Sequence, residues 1–242
     1  GAASGIGKAC VESFLQRGAA VVGLDINPLI ETRVDSPAFL GIAGDIADES
    51  TQQAALEQAV RRFGGLDMVV LNAGMFPGGT HIADLKTEDW QQVLRVNLDA
   101  NLALMRESYP LLRLAPNGGR MVVMGSKNVL APGAGAAAYS ASKAALTQLM
   151  RIAAFEWGGD GIRINALHPD AVFDTGIWTE EVLQARATHY GMSVEEYKTR
   201  NVLKVEVTSR DVAELSAEMC GPLFAKTTAA QLPVDGGNER VI

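Results

Sequence analysis

Tyr139 and Lys143 stand four residues apart, so on a helix the phenol and the ammonium project from one face. A free phenol, with a pKa of about 10, is a poor base at neutral pH, and a fixed ammonium beside it favours the phenolate. Ser126 lies upstream, directly after an apolar run, and supplies a hydroxyl donor. Together these groups imply proton transfer at a substrate oxygen. Tyr139 accepts the proton of a hydroxyl as hydride leaves the carbon, and Ser126 hydrogen-bonds the same oxygen.

A hydride needs an acceptor, and the first seven residues point to one. Gly1, Gly5 and Gly7 have the G-x-x-x-G-x-G spacing and lead into a helical segment. With Ser4 and Ile6 they form a turn whose backbone N–H groups approach a pyrophosphate at a helix N-terminus. Asp25 ends the next apolar run, where a carboxylate accepts both ribose hydroxyls and repels a 2′-phosphate. No Lys or Arg stands at Ala3, Ser4 or Ile26, so NAD is favoured over NADP.

These residues need a scaffold, and helical and strand-like segments alternate to give one. Short apolar runs at 20–24, 39–43, 68–71, 120–124, 162–167 and 231–234 read as strands, and 8–17, 49–63, 87–109, 139–157 and 210–220 read as helices. Pro110 is expected to stop the third helix there or shortly after. Strands rich in Val, Ile, Leu and Met without polar alternation imply a sheet buried on both faces. The expectation is an α/β, Rossmann-like, doubly wound parallel sheet with helices on both faces, in one domain over 1–242. The stretch 174–205 breaks the rhythm and is predicted to be a substrate lid.

Composition excludes other classes. The 242 residues carry 21 Lys and Arg against 28 Asp and Glu, a net charge of −7, with no basic cluster. Nucleic acid and anionic membrane are therefore not expected as partners, and a small molecule is. No apolar run reaches the roughly 18 residues of a membrane span. Cys10 and Cys220 fall in helical segments and read as packed thiols, which fits a reducing, cytoplasmic setting. His81, His168 and His189 have no metal-ligand spacing, so no metal is expected.

The glycine turn, Asp25, Asp45, Asn72-Ala73-Gly74, Asn97, Ser126, the Tyr139/Lys143 pair and Val234-Asp-Gly-Gly237 together resemble the short-chain dehydrogenase/reductase family along essentially the whole chain. The resemblance implies a catalytic set of Asn97, Ser126, Tyr139 and Lys143, with Lys143 also on the nicotinamide ribose and Asn97 holding a relay water. It implies adenine contacts from Asp45 and Ile46, a cofactor border at Asn72 to Gly74, and assembly as a homodimer or homotetramer. One departure stands out: the family has Pro-Gly and a Thr five residues beyond the Pro, whereas Pro169-Asp170 is followed by Asp174 and then Thr175. Pro169 and Val172 remain the candidates for the nicotinamide contact.

Ser126-Lys127-Asn128, the turn from His168 to Val172, Ile177-Trp178-Thr179 and the stretch 197–207 resemble the dehydrogenase half of bifunctional rhamnulose-phosphate aldolase/short-chain dehydrogenases. That implies a small hydroxyaldehyde, polyol or sugar-derived substrate such as lactaldehyde, and an aldolase domain on the same chain. Candidate substrate residues are Lys127, Asn128, His168 and Trp178. Lys127 meets an anionic group or is a solvated loop lysine; Trp178 closes a lid or anchors it. Without a nucleophilic Cys at the site, an aldehyde would be oxidised as its hydrated gem-diol. The rivals are a non-catalytic dinucleotide-binding module and an NADPH-dependent carbonyl reductase. In a doubly wound sheet the strand before such a glycine turn is central, so the expectation is a first strand missing from the chain and a C-terminal fragment of a longer protein.

Overall fold

Along β4 (Arg120–Met124), Met121 and Val123 face one buried cluster while Val122 and Met124 face another. The period of two puts alternate side chains on opposite faces, so this strand is covered on both sides. The computed structural model that reveals this describes residues 1–237. On the first face, β4 and β5 (Arg163–Pro169) pack against α4 (Ala100–Leu112) and α5 (Ala137–Trp157) through Met105, Leu112, Leu146 and Met150. On the other, they meet α1 (Gly5–Gln16) and α8 (Ser209–Cys220) through Phe14, Val212 and Ala217. Leu146 is fully buried; truncating such a side chain to Ala costs about 2–5 kcal/mol.

All strand pairings are parallel, and they form two pieces. β1 (Val21–Asp25) pairs with β2 (Phe39–Ala43), and β3 (Met68–Leu71), β4, β5 and β6 (Gln231–Val234) pair in that order. The described residues place no strand between β1 and β3. A cavity of about 460 Å³ lies there, lined by Val11, Val22, Leu24, Ala55, Val69 and Leu71 among others. The Rossmann-like α/β architecture is thus as expected, with a gap at the centre of the sheet.

Local signals explain the helix ends. α2 (Glu49–Phe63) starts on Asp48, whose carboxylate accepts the Ser50 N–H, and stops at Gly64 with φ 86°. α8 begins with a reciprocal box in which Thr208 accepts the Asp211 N–H and Asp211 accepts the Thr208 N–H. The helical run expected over 87–109 is not one α-helix: α3 (Thr87–Leu94) passes into a π turn at Arg95–Asp99 before α4. α4 continues two residues beyond Pro110, since a proline near a helix end removes only one late hydrogen bond.

The stretch 174–205 contains α6 (Glu180–His189) and α7 (Val194–Lys198). Phe173, Leu183, Ala187 and Tyr197 form their own buried cluster. Trp178 meets Phe173 edge-on at 4.9 Å, so its packing partner is this cluster. No helix among the described residues is long and apolar enough to cross a membrane.

Candidate active site

The C-terminal ends of β1, β3, β4 and β5 all open onto one edge, and the loops that follow them bring the chemically active residues together. At β1, the turn 1–7 folds back over the strand: Ala2 N–H donates to the Leu24 carbonyl at 3.2 Å. Gly5 has φ +48°, a left-handed conformation that favours glycine. At Gly7 a Cβ would overlap the Gly1 carbonyl and stand 2.6 Å from Asn72 Nδ2. Ser4 is the N-cap of α1, yet its side chain makes no capping hydrogen bond and the first turn holds no acidic residue. The amides of that turn therefore remain available to an anion.

Asp25 closes the same turn. One carboxylate oxygen accepts the Ala3 N–H at 2.8 Å and the other accepts the Asn27 N–H at 2.8 Å. Burial works against ionisation, but these amides together with the Gly1 amino group hold the carboxyl below its usual range. Oδ1 retains a lone pair for a further donor, while Oδ2 also faces the Gly1 amino group at 3.4 Å. Ile26 beside it is exposed. After β2, Asp45 accepts the Ala47 N–H at 2.9 Å, presenting Ile46 next to the cavity between β1 and β3.

After β3, Asn72 Nδ2 donates to the Gly1 carbonyl at 2.8 Å, joining the two loops. A Cβ at Gly74 would stand 3.3 Å from Asn97 Oδ1 and 3.4 Å from Lys143 Nζ, so Ala73 and Gly74 run directly past the buried polar groups. Asn97 lies in the π turn and is fully buried. Its Nδ2 donates to the Met75 carbonyl at 3.0 Å and to Ser142 Oγ at 3.1 Å. Its amide thus braces the Met75 loop against α5.

Tyr139 and Lys143 lie on α5, as their spacing predicts, and Ser126 follows β4. Ser126 faces the Tyr139 hydroxyl, and Phe76 packs edge-on against the tyrosine ring at 5.3 Å. Lys143 Nζ donates to the Met124 carbonyl at 2.7 Å and lies 5.9 Å from the Tyr139 ring centroid. Burial lowers the lysine pKa from 10.5 to about 8. The expected depression of the phenol pKa is also corrected. Burial of the phenolate raises it, with the Ser126 hydroxyl nearby working the other way.

The substrate candidates separate. His168 is fully buried behind Ser126, which corrects its expected contact with substrate. Lys127 is neither solvated nor open to a free anion: it is buried, with Nζ 2.6 Å from Asp170 Oδ2. Asn128 N–H donates to Ser126 Oγ at 3.1 Å, and its Oδ1 accepts the Gly133 N–H at 3.0 Å, shaping the loop. At the departure after Pro169, Asp174 caps α8 by accepting from Ser209 N and Oγ, each at 2.9 Å. Thr175 instead faces the glycine turn, where a Gly5 Cβ would lie 3.0 Å from its Cγ2. Val172 is buried, and its carbonyl accepts the Thr175 hydroxyl at 2.8 Å. Sequence reasoning missed Met75, Ser142 and Gln231; all three act through backbone or neighbouring side chains, and none stands in a distinctive spacing.

No group of three His, Cys, Asp or Glu residues among the described residues could hold a metal ion. Cys10 and Cys220 are buried, and burial raises their thiols to about 12 and about 11, which suits packed thiols and not nucleophiles.

A family model described as enoyl-(acyl carrier protein) reductase matches residues 1–239. The oxidoreductase YuxG of Bacillus subtilis (strain 168) is 32% identical over 250 residues, which cover 98% of this chain and 36% of that protein. The chain thus spans about a third of that relative's length. The D-threitol dehydrogenase of Mycolicibacterium smegmatis is 32% identical over 181 residues, 71% of this chain and 68% of that protein. Among solved structures, the 3-ketoacyl-(acyl-carrier-protein) reductase of Brucella melitensis complexed with NADH superposes with a TM-score of 0.88 at 26% identity, covering 100% of this chain and 96% of that one. With the matching fold and the Ser126, Tyr139 and Lys143 arrangement already in place, the chain belongs to the short-chain dehydrogenase/reductase family and is an oxidoreductase of that family.

Proposed function

We propose that the chain is an NAD-dependent dehydrogenase/reductase that interconverts a hydroxyl and a carbonyl on a small polyol, hydroxyaldehyde or sugar-derived substrate. The observation that carries this reading is the Tyr139 hydroxyl facing Ser126, with Lys143 on the same helix and its Nζ 5.9 Å from the tyrosine ring centroid. The glycine turn with free first-turn amides, and no side chain at Gly7, fits a pyrophosphate. Asp25 at the end of β1 fits the ribose of NAD and disfavours a 2′-phosphate. Support for NAD also comes from relatives described as NAD-dependent or complexed with NADH.

When bound, NAD supplies the hydride acceptor. In oxidation, Tyr139 takes the proton of the substrate hydroxyl and Ser126 orients that oxygen by donating a hydrogen bond, with the Lys143 ammonium 5.9 Å from the tyrosine ring centroid. In reduction Tyr139 returns the proton. Ser126 Oγ already accepts the Asn128 N–H, which leaves its own proton to donate. An aldehyde enters the same chemistry as its hydrate, whose hydroxyl Tyr139 deprotonates as it would an alcohol's.

The polyol class draws support from the D-threitol dehydrogenase relative. The short stretches around Lys127, His168 and Trp178 add lactaldehyde to the first substrates to test, along with the bifunctional aldolase/dehydrogenase subfamily. Residues 174–205 form the lid in this reading, and α4 and α5 the contact of a homo-oligomer.

Tyr139→Phe tests the mechanism. Turnover is expected to fall by at least a hundredfold with NADH affinity, read by fluorescence titration, nearly unchanged. Retained turnover would sink the assignment.

A further inference from the structure

His168 has no part in the chemistry above, yet it is fully buried against the backbone of Ser126. Its Nδ1 lies 3.2 Å from Ser126 N and 3.1 Å from Ser126 O, and its Nε2 lies 3.1 Å from Gln231 Oε1 on β6. A Cβ at Gly125 would overlap the ring, so the chain leaves the side chain out at that position. The Nε2–H tautomer serves two of these three contacts: Nε2 donates to Gln231 Oε1, and Nδ1 accepts the Ser126 N–H. We propose that His168 is a positioning residue, held by Gln231 as the Nε2–H tautomer, that fixes the Ser126 backbone and thereby the direction of the Ser126 hydroxyl, and that its protonation reverses this hold. The inference rests on the reading of Ser126 as the donor to the substrate oxygen.

The reversal follows from the distances. A protonated ring presents N–H at Nδ1 to the Ser126 N–H, two donors face to face, and can bond only the Ser126 carbonyl on that side. Ser126 must then shift to satisfy its amide. The ionisable neighbours are Lys143 on α5, Tyr139 one helical turn before it, Lys127 on the Ser126 loop and Asp170 at the end of β5. Burial, with the Lys143 charge adding to it, keeps the imidazole below its usual 6.5 against the pull of Gln231 and Ser126. The ring is therefore neutral at neutral pH, and the hold fails on the acidic side.

The test is carbonyl reduction followed from about pH 5 to 8, where Tyr139 remains protonated. Wild-type kcat is expected to fall at the acidic end. Gln231→Glu places a carboxylate on Nε2, favours the imidazolium and is expected to move that fall up by roughly one pH unit or more. His168→Phe, which cannot accept, should lower kcat about tenfold or more at neutral pH with NADH Kd unchanged. His168→Asn, whose amide oxygen can accept from Ser126, should recover most of kcat and lose the acidic fall. The proposal is overturned by a His168→Phe enzyme with wild-type kcat, by a loss shared equally between kcat and NADH affinity, or by a pH profile that Gln231→Glu leaves in place. If His168→Phe does not fold, ring 15N shifts of the wild-type protein decide independently of turnover. The Nε2–H tautomer at neutral pH supports the proposal, and Nδ1–H overturns it. Active Tyr139→Phe would refute the parent reading without touching the tautomer result.

Discussion

The side chain of Asn97 pairs with the backbone of Met75 in both directions: Oδ1 accepts the Met75 N–H at 2.8 Å and Nδ2 donates to its carbonyl at 3.0 Å. An amide in a π turn thus takes the place of a neighbouring strand for the loop after β3. The same Nδ2 reaches Ser142 on α5, so one residue ties together the elements that carry Gly74 and Tyr139.

Replacing Asn97 with Leu preserves volume and removes all three bonds. The partly buried Met75 groups then lose their partners, and a loss of about 1–3 kcal/mol in urea unfolding is expected. NADH affinity should fall with it, because Gly74 is no longer held. Unchanged stability would show that the loop keeps its place without Asn97.

Gly7 tests the close approach at the turn. Gly7→Ala drives a methyl group into the Gly1 carbonyl and toward Asn72. The turn must open, so dinucleotide binding measured by calorimetry is expected to weaken at least tenfold. Gly18 offers the control for a general glycine effect, since nothing lies within 4 Å of a Cβ there, although its φ of +81° carries strain of its own.

Lys143 makes stability depend on pH. Its folded pKa of about 8 lies below the ordinary 10.5, so the folded state releases the proton first. Below pH 8 both states are charged and burying the ammonium opposes folding. Between about 8 and 10.5 the unfolded chain binds more protons, and stability rises with pH by as much as about 3 kcal/mol. Lys143→Met should remove that rise when the two urea midpoints are compared across the window. Parallel pH dependences would contradict a lysine whose ammonium is destabilised by burial.

Much of this site was legible in the chain because it depends on local geometry. Tyr139 and Lys143 share a helix face by spacing alone, and Gly7 is dictated by a turn only seven residues long. The register that β4 and β5 impose, by contrast, is invisible in the sequence: it decides that His168 turns inward behind Ser126 and that Lys127 meets Asp170. The π turn at Asn97 leaves no compositional mark, since an extra residue in a helical turn alters hydrogen bonding and not polarity. The residue after Asp174 behaves similarly. Its contact with the glycine turn arises because Asp174 is drawn to the N-terminus of α8, a partner 35 positions away.

Asp25 is expected to set cofactor choice as well as turn geometry. Asp25→Asn keeps the shape but turns one acceptor into a donor facing the Ala3 or Asn27 N–H, so NAD binding should weaken tenfold or more. The repulsion toward a 2′-phosphate falls at the same time, and the ratio of NAD to NADP affinity should drop. Titrating both nucleotides against both proteins checks this; an unchanged ratio would remove Asp25 from the selection.

The gap between β1 and β3 allows the most direct physical test of the sheet. Both flanking strands are parallel to their partners, both present an unpaired edge to an apolar cavity of about 460 Å³, and Gly1 stands at its upper end beside Leu24 and Asn72. An open strand edge can offer N–H and C=O groups to a further strand, and the cavity forfeits packing on both walls. A parallel strand of about five Val- and Ile-rich residues joined ahead of Gly1 spans roughly 17 Å, the length of a short strand. It would pair with both edges and cover Val22, Leu24, Val69 and Leu71. The expected result is a rise in Tm of several degrees or more, together with slower amide exchange in β1 and β3. A five-residue Gly-Ser extension of equal length should give neither. If the two extensions behave alike, the edges are satisfied in some other way and the slot does not take a strand.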